Sequence, residues 1–228
     1  MTSPTQRTQP RQVAERVTHD FYAAAAILDE ALVAHVGFAV DGEMFVLPMA
    51  YARVGDQLLL HGAVASRIMR SLAGGIDVCV TVTLLDGMVL AKSTFNHSMN
   101  YRSVMVFGTA QAIEDPQEKA AALAHLVEFL VPGRSREARA ADDKELNATT
   151  LLSLPLGEFS VKQRSGPPED AAKDESLDVW TGEIPLRQVA SAPLAAPDVA
   201  AGHDTPEYLQ RLAPDYHLRN RHHRDCFS

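Results

Sequence analysis

The chain has 228 residues, 46% of them hydrophobic and 22% charged, with a formal net charge of −8; this is the balance of a globular domain large enough for its own core. The acidity argues against general binding to nucleic acid or to an anionic membrane surface, and two cysteines, Cys79 and Cys226, are too few for a disulfide framework. No apolar run approaches a membrane span and the N-terminus carries no apolar signal core, so the sequence predicts a cytoplasmic protein without a membrane partner.

In chain order, residues 1–17 are polar, contain Pro and Gln, and read as a mobile arm. Asp20 is placed to cap a helix that begins at Phe21 and ends near Ala34. Strand signals follow. His35 to Val40 meets the turn dipeptide Asp41-Gly42, and Met44 to Val54 runs on to Gly55-Asp56. Leu58 to Leu60 is the next strand, and His61 to Arg67 leads into a helix stopped at Gly74-Gly75. Ile76 to Leu85, closed by Asp86-Gly87, then Met88 to Ser93 and Tyr101 to Ile113 supply three more strands, with Cys79 expected as a small buried apolar residue. Asp115 to Val131 fits an amphipathic helix with Leu123, Leu126, Val127 and Leu130 on its apolar side and a Pro132-Gly133 stop. Thr149 to Leu156 and Glu158 to Lys162 complete the strands, and Ser165 to Ser176 reads as a loop. Trp180 to Leu186 forms a small ordered island, and residues 188–228 read as an Ala/Pro-rich linker and a polar tail, leaving 18–187 as the folded domain. Many short strands with regularly spaced turns and few helices predict a mainly β barrel or sandwich.

The sharpest chemical signal is a strand, a small-residue loop and a helix start at His61-Gly62-Ala63-Val64-Ala65-Ser66-Arg67. Unpaired N–H groups at such a start, a Ser66 hydroxyl and the guanidinium groups of Arg67 and Arg70 suit an anion, although a capped surface helix would look the same. Pro48 interrupts an otherwise strand-like run and belongs at an edge or beside something other than a strand; a planar ligand is one such neighbour. The period of two puts Arg102 and Ser103 on opposite faces of one strand. His61 and His97 carry imidazoles able to donate or move protons, and the basic residues Lys162, Arg164 and Lys173 flank a loop. Trp180, the only tryptophan, suits a cofactor stack, a subunit interface or a core plug. The tail residues His217, His222, His223 and Cys226 match no standard zinc spacing, so no metal site is expected. No Walker loop, G-x-G-x-x-G, H-E-x-x-H or G-x-S-x-G is present in the sequence.

Leu47-Pro48-Met49-Ala50-Tyr51, His61-Gly62-Ala63 with Ser66-Arg67, Tyr101-Arg102-Ser103-Val104 closing on Gly108, Lys162 to Pro168, and Val179-Trp180-Thr181-Gly182 come in an order that resembles the pyridoxamine 5'-phosphate oxidase-like FMN-binding split barrels. Within that family the likeness is to the flavin-nucleotide-binding branch with the nitroimidazole-resistance proteins. It spans roughly Thr18 to Leu186. The resemblance implies a six-stranded split β-barrel with flanking helices. It further implies FMN, with Ser66 and Arg67 on the phosphate and Leu47, Pro48, Met49 and Ala50 along the ring. His61, Gly62 and Ala63 would lie at the ring or ribityl edge, and Arg102, Ser103 and Trp180 would complete the site. It also implies a homodimer with flavin at the interface.

The oxidases carry an Arg- and Lys-bearing strand where this chain has Leu47 to Tyr51, and an Arg- and Ser-rich substrate helix without counterpart in Asp115 to Val131. Oxidation of pyridoxamine phosphate is therefore not expected. The expectation is an FMN-dependent oxidoreductase acting on a small organic molecule, such as a nitro compound or quinone, with His61 at the ring edge or handling protons. The alternatives are a flavin store or sensor, or a barrel holding haem or a deazaflavin; haem would need an axial ligand such as His61 or His97.

Overall fold

The computed structural model describes residues 4–199 and 202–212. Its strands are β1 (Val17–Thr18), β2 (Val33–Val40), β3 (Glu43–Val54), β4 (Gln57–Ala63), β5 (Asp77–Leu90), β6 (Ser98–Thr109), β7 (Gln111–Ala112), β8 (Thr149–Pro155), β9 (Glu158–Arg164) and β10 (Gly182–Pro185). The helices are α1 (Phe21–Glu30), α2 (Arg67–Ala73), α3 (Pro116–Leu130), α4 (Asp143–Ala148) and α5 (Glu207–Gln210).

All strand pairs are antiparallel, in the order β1-β9-β6-β5-β2-β3-β4-β8-β7, with β10 added on β5. The path closes on itself through the covalent chain. β6 ends at Thr109 and β7 begins at Gln111, so one run pairs first with β5 and then, past Ala110, with β8. Six strands therefore close the circuit, as expected for a split barrel, while β1, β9 and β10 extend it to a ten-stranded sheet. Closure removes most of the free edges that an open sheet would leave.

Alternation on these strands fills the interior with Ala34, Val36, Phe38, Tyr51, Leu58, Leu60, Val80, Val82, Val104, Val106, Leu152 and Leu154, all buried. α1 and α2 add Leu28 and Leu72 to the same core. Ala52, Leu59 and Leu151 point the other way and are buried by Ala122 and Leu126 of α3. The helix lies slightly rotated from the expected face, leaving Val127 exposed, because this small outer patch needs only a narrow stripe of the helix.

α1 begins as expected, with Asp20 accepting from the Ala23 N–H at 2.8 Å. It ends early, at Glu30, on two carboxylates, which the helix dipole disfavours at a C-terminus. The fold supplies cations to both. Arg53 forks onto Asp29 at 2.7 and 2.6 Å, and Arg102 forks onto Glu30 at 2.6 and 2.8 Å. The buried Tyr51 hydroxyl donates to the Leu28 carbonyl at 2.6 Å and satisfies one of the last free acceptors.

Three expectations change. Asp86-Gly87 is a bulge inside the continuous β5 rather than a turn, because the two strands expected around it pair with the same partner, β6, with a register shift between Leu85 and Gly87. The real connection between β5 and β6 is residues 91–97. The arm is docked over its described part: Arg7 pairs with Asp77 and Glu158 and lies over the Phe107 ring, Thr8 is buried, and β1 pairs with β9. Cys79 is half-buried on the outer face, opposite Gly37 and Phe107, instead of in the core.

Candidate functional site

β3 and β4 pair from Val54↔Gln57 to Tyr51↔Leu60 and then part company. Beyond that point β3 pairs only with β2, through Val33↔Ala50 to Val40↔Glu43, and β4 pairs only with β8, through His61↔Leu151 to Ala63↔Thr149. Leu47–Ala50 thus forms a one-sided edge next to the departing His61–Ala63 segment. The split explains Pro48, which lies in an edge segment opposite His35, where a missing N–H is tolerated. Leu47 and Met49 turn inward to pack on the core, while Pro48 is exposed.

Ser66 caps α2, accepting from the Met69 N–H at 3.4 Å, and its own hydroxyl proton stays available to a ligand. α2 has seven residues, too short for its dipole to contribute much, so Arg67 carries the positive charge. Its guanidinium is 3.4 Å from Asp41 in the β2–β3 turn, with both side chains mostly exposed. A pair of this kind is worth about 0–1 kcal/mol and yields readily to a phosphate. Arg70 does not join it: its guanidinium turns back onto the Ala65 carbonyl at 2.8 Å and holds the loop. Gly62 has a packing reason as well, since a Cβ there would come within 2.6 Å of the Met69 side chain that seats α2 on β4. His61 and Ala63 are exposed at the mouth of the split.

The other expected residues fall elsewhere in the chain. Arg102 points inward, on the face opposite Ser103 as the strand period implied, and donates to Asp86 at 2.8 and 2.9 Å in addition to Glu30. Hydrogen bonds donated to Glu30 and then to Asp86 push its pKa well above the usual guanidinium range. Ser103 faces outward and donates to the Lys162 carbonyl at 3.1 Å. Trp180 is 68% exposed, its indole lying over Gly182, where a Cβ would come within 2.8 Å of the ring. Two intervening strands, β5 and β2, separate β6 from β3, a spacing of about 14 Å at ~4.8 Å per strand. One chain therefore presents two groups: the split with Ser66 and Arg67, and the β5–β6 arm with Arg102, Ser103 and Trp180.

Arg164, one of the basic residues flanking the 165–176 loop, is engaged within the chain. It donates to the Asn100 side chain and, at 2.9 Å, to the carbonyls of Gly166 and Pro167. A cavity of about 370 Å³ between Asp86, Asn100, Arg102, Arg164 and Glu183 is lined by charges that already have partners. The tail histidines and Cys226 lie outside the described residues. Among the described residues no group of three or more His, Cys, Asp or Glu is arranged to hold a metal ion, and no helix is long and apolar enough to cross a membrane.

Sequence reasoning missed Glu30, Asp86 and Asp41. The first had a readable signal, an acidic pair at a helix end; the other two sit in Asp-Gly dipeptides whose turn chemistry hid their charge.

A family model described as pyridoxamine 5'-phosphate oxidase matches residues 22–163. No curated protein matches the sequence. Among solved structures, the FAD and haem binding protein from Mycobacterium smegmatis is 38% identical with a TM-score of 0.86, over 90% of this chain and 100% of that one. The flavocytochrome Anf3 from Azotobacter vinelandii is 36% identical with a TM-score of 0.87, over 92% and 98%. A structure assigned to 5-nitroimidazole antibiotic resistance from Bacteroides thetaiotaomicron shares the fold at 23% identity and a TM-score of 0.53, over 64% and 85%. With its closed six-strand circuit, its split and a family match over most of its length, this chain belongs to the pyridoxamine 5'-phosphate oxidase family.

Proposed function

We propose that this protein is a redox protein that binds a flavin along the split and carries haem as a second redox group. The observation that supports the flavin most directly is the parting of β3 from β4 after Tyr51↔Leu60, with Arg67 weakly held at the far end. A flat ring fits against the one-sided edge Leu47–Ala50, where backbone groups lack a ladder partner. Ser66 and Arg67 then meet the phosphate, and His61 lies at the mouth. FMN, expected from the sequence, and FAD, carried by the M. smegmatis relative, share the ring, ribityl chain and first phosphate that these residues address. The high coverage of that relative favours FAD in this chain. A bound flavin supplies hydride and single-electron chemistry; the protein orients it and limits access to its exposed face.

The relatives' haem gives the second cofactor class, for which an axial donor such as His61 or His97 would be needed. A second copy of the chain completes the picture. Met44 and Val46 are 76% and 64% exposed on the outer face beside Pro48, an apolar surface suited to self-association. Such a partner would bring its arm, with Ser103 and Trp180, to the split that one chain leaves open.

The test is the absorption spectrum of the purified protein, chromatography of the released flavin, and anaerobic addition of NADH or NADPH. Bound FAD that bleaches with a nicotinamide donor is the expected result. FMN in its place would correct the flavin, bound flavin that resists reduction would favour a store, and a chain that takes up neither flavin would end the reading.

Asp41 offers a finer check. It holds φ 54°, a conformation Asn also tolerates, so Asp41→Asn keeps the turn while releasing Arg67. Flavin affinity is expected to rise about two- to fivefold, the size of an exposed ion pair removed from competition. A fall measured by titration of the apoprotein would place the phosphate elsewhere.

A further inference from the structure

We infer that the cavity on the β5–β6 arm is a binding site for a small polar zwitterion of the α-amino-acid class. Three strands build it around the bulge of β5. Past the bulge, Asn100 of β6 pairs with Gly87, where a Cβ would come to 3.0 Å from the Ile184 carbonyl. The missing side chain lets β10 approach, and β10 brings Glu183 alongside Asn100. Arg164 enters from the end of β9. The enclosed space, about 370 Å³, falls at the small end of the ~300–1,000 Å³ range of small-molecule sites.

The charges lining this cavity are of two kinds. Arg102 is spent, since it forks onto both Glu30 and Asp86. Glu183 and Arg164, in contrast, meet no opposite charge among the described residues. Between them stands Asn100, only 5% exposed, whose Nδ2 donates to Glu183 and whose Oδ1 accepts from Arg164 Nη1. A carboxylate only accepts and a guanidinium only donates, so the two neighbours fix the orientation of the amide. The amide therefore holds one anion and one cation apart on the wall of a single cavity.

Arg164 is also held in advance for a carboxylate. Its Nη1 and Nη2 donate at 2.9 Å to the successive carbonyls of Gly166 and Pro167, which the φ of 101° at Gly166 helps to present. Its Nε–H and second Nη2–H have no acceptor among the described residues. Those two N–H groups run parallel on one edge of the guanidinium, the edge that takes a carboxylate in a two-bond fork. Glu183 is exposed and spends only Oε2 on Asn100, which leaves Oε1 for an ammonium. A lone anion would meet Glu183 and a lone cation would meet Arg164, so a molecule carrying both charges matches best. The Ser165 hydroxyl and the Gln163 amide line the remaining wall and suit a polar side chain.

The experiment is calorimetric titration of the purified full chain with L-serine, 3-hydroxypropionate and ethanolamine. The last two are L-serine without its ammonium and without its carboxylate. Saturable binding of L-serine is expected, with each half-molecule about tenfold weaker for the loss of one charge-assisted contact. Arg164→Gln should weaken L-serine about tenfold and leave ethanolamine unchanged, while Glu183→Gln should weaken L-serine and leave 3-hydroxypropionate unchanged. A merely structural role would not produce that crossed pattern, and the exposed Glu183 keeps the test valid if Arg164→Gln fails to fold. Absence of saturable L-serine binding would overturn the site. L-serine affinity unchanged in Glu183→Gln, or 3-hydroxypropionate binding as tightly as L-serine, would overturn the assignment to a zwitterion.

Discussion

Arg102→Ala is expected to lower the stability of the fold by about 3–5 kcal/mol, the cost of leaving buried charge without its partner. The guanidinium contacts two carboxylates at once, and the Glu30 side chain is only 4% exposed. Removing the cation takes the guanidinium fork from Glu30 at the C-terminus of α1, where the helix dipole already opposes the carboxylate, and from Asp86 in the β5 bulge. Chemical denaturation should show a lower midpoint at an unchanged slope. Combining Arg102→Met with Glu30→Gln should recover much of the loss, because a buried pair replaced as a unit is far less costly than one broken. A loss under about 1 kcal/mol would mean that solvent screens the cluster as it does a surface pair.

Arg67→Ala is expected to weaken flavin binding about tenfold, near 1.5 kcal/mol, the low end for a hydrogen bond to a charged group. The low end applies because the Arg67 side chain is 69% exposed and competes with water. Stability should hardly change, since its only ion pair among the described residues is the exposed one with Asp41. Arg67→Lys should recover part of the affinity, keeping the charge but losing the planar fork. Equal affinity of all three proteins, measured on apoprotein with FAD and with FMN, would remove Arg67 from the site.

The two substitutions differ in how far the sequence could anticipate them. Both arginines stood out as candidate flavin contacts. Arg67 keeps that possibility because, among the described residues, its guanidinium pairs with no buried carboxylate and reaches only the turn residue Asp41. Arg102 is drawn inward by Glu30, 72 residues earlier, and Asp86, 16 residues earlier. Nothing local to Tyr101-Arg102-Ser103 shows those partners. The acidic end of α1, Asp29-Glu30, did carry a physical hint, since two carboxylates there need cations from elsewhere.

What the sequence determined by itself was local: the Asp20 cap, the Asp41-Gly42 turn, the opposite faces of Arg102 and Ser103, and the edge character of Pro48. These follow from caps, turn dihedrals and the two-residue strand period, which act within a few residues. The tertiary structure alone decided that Asp86-Gly87 is a bulge, that β6 and β7 close the barrel through one run of chain, and that β3 and β4 part at Tyr51 and Leu60. Those outcomes depend on which strands pair over tens of residues. Periodicity reports the face a side chain occupies; only closure of the sheet reports its neighbour.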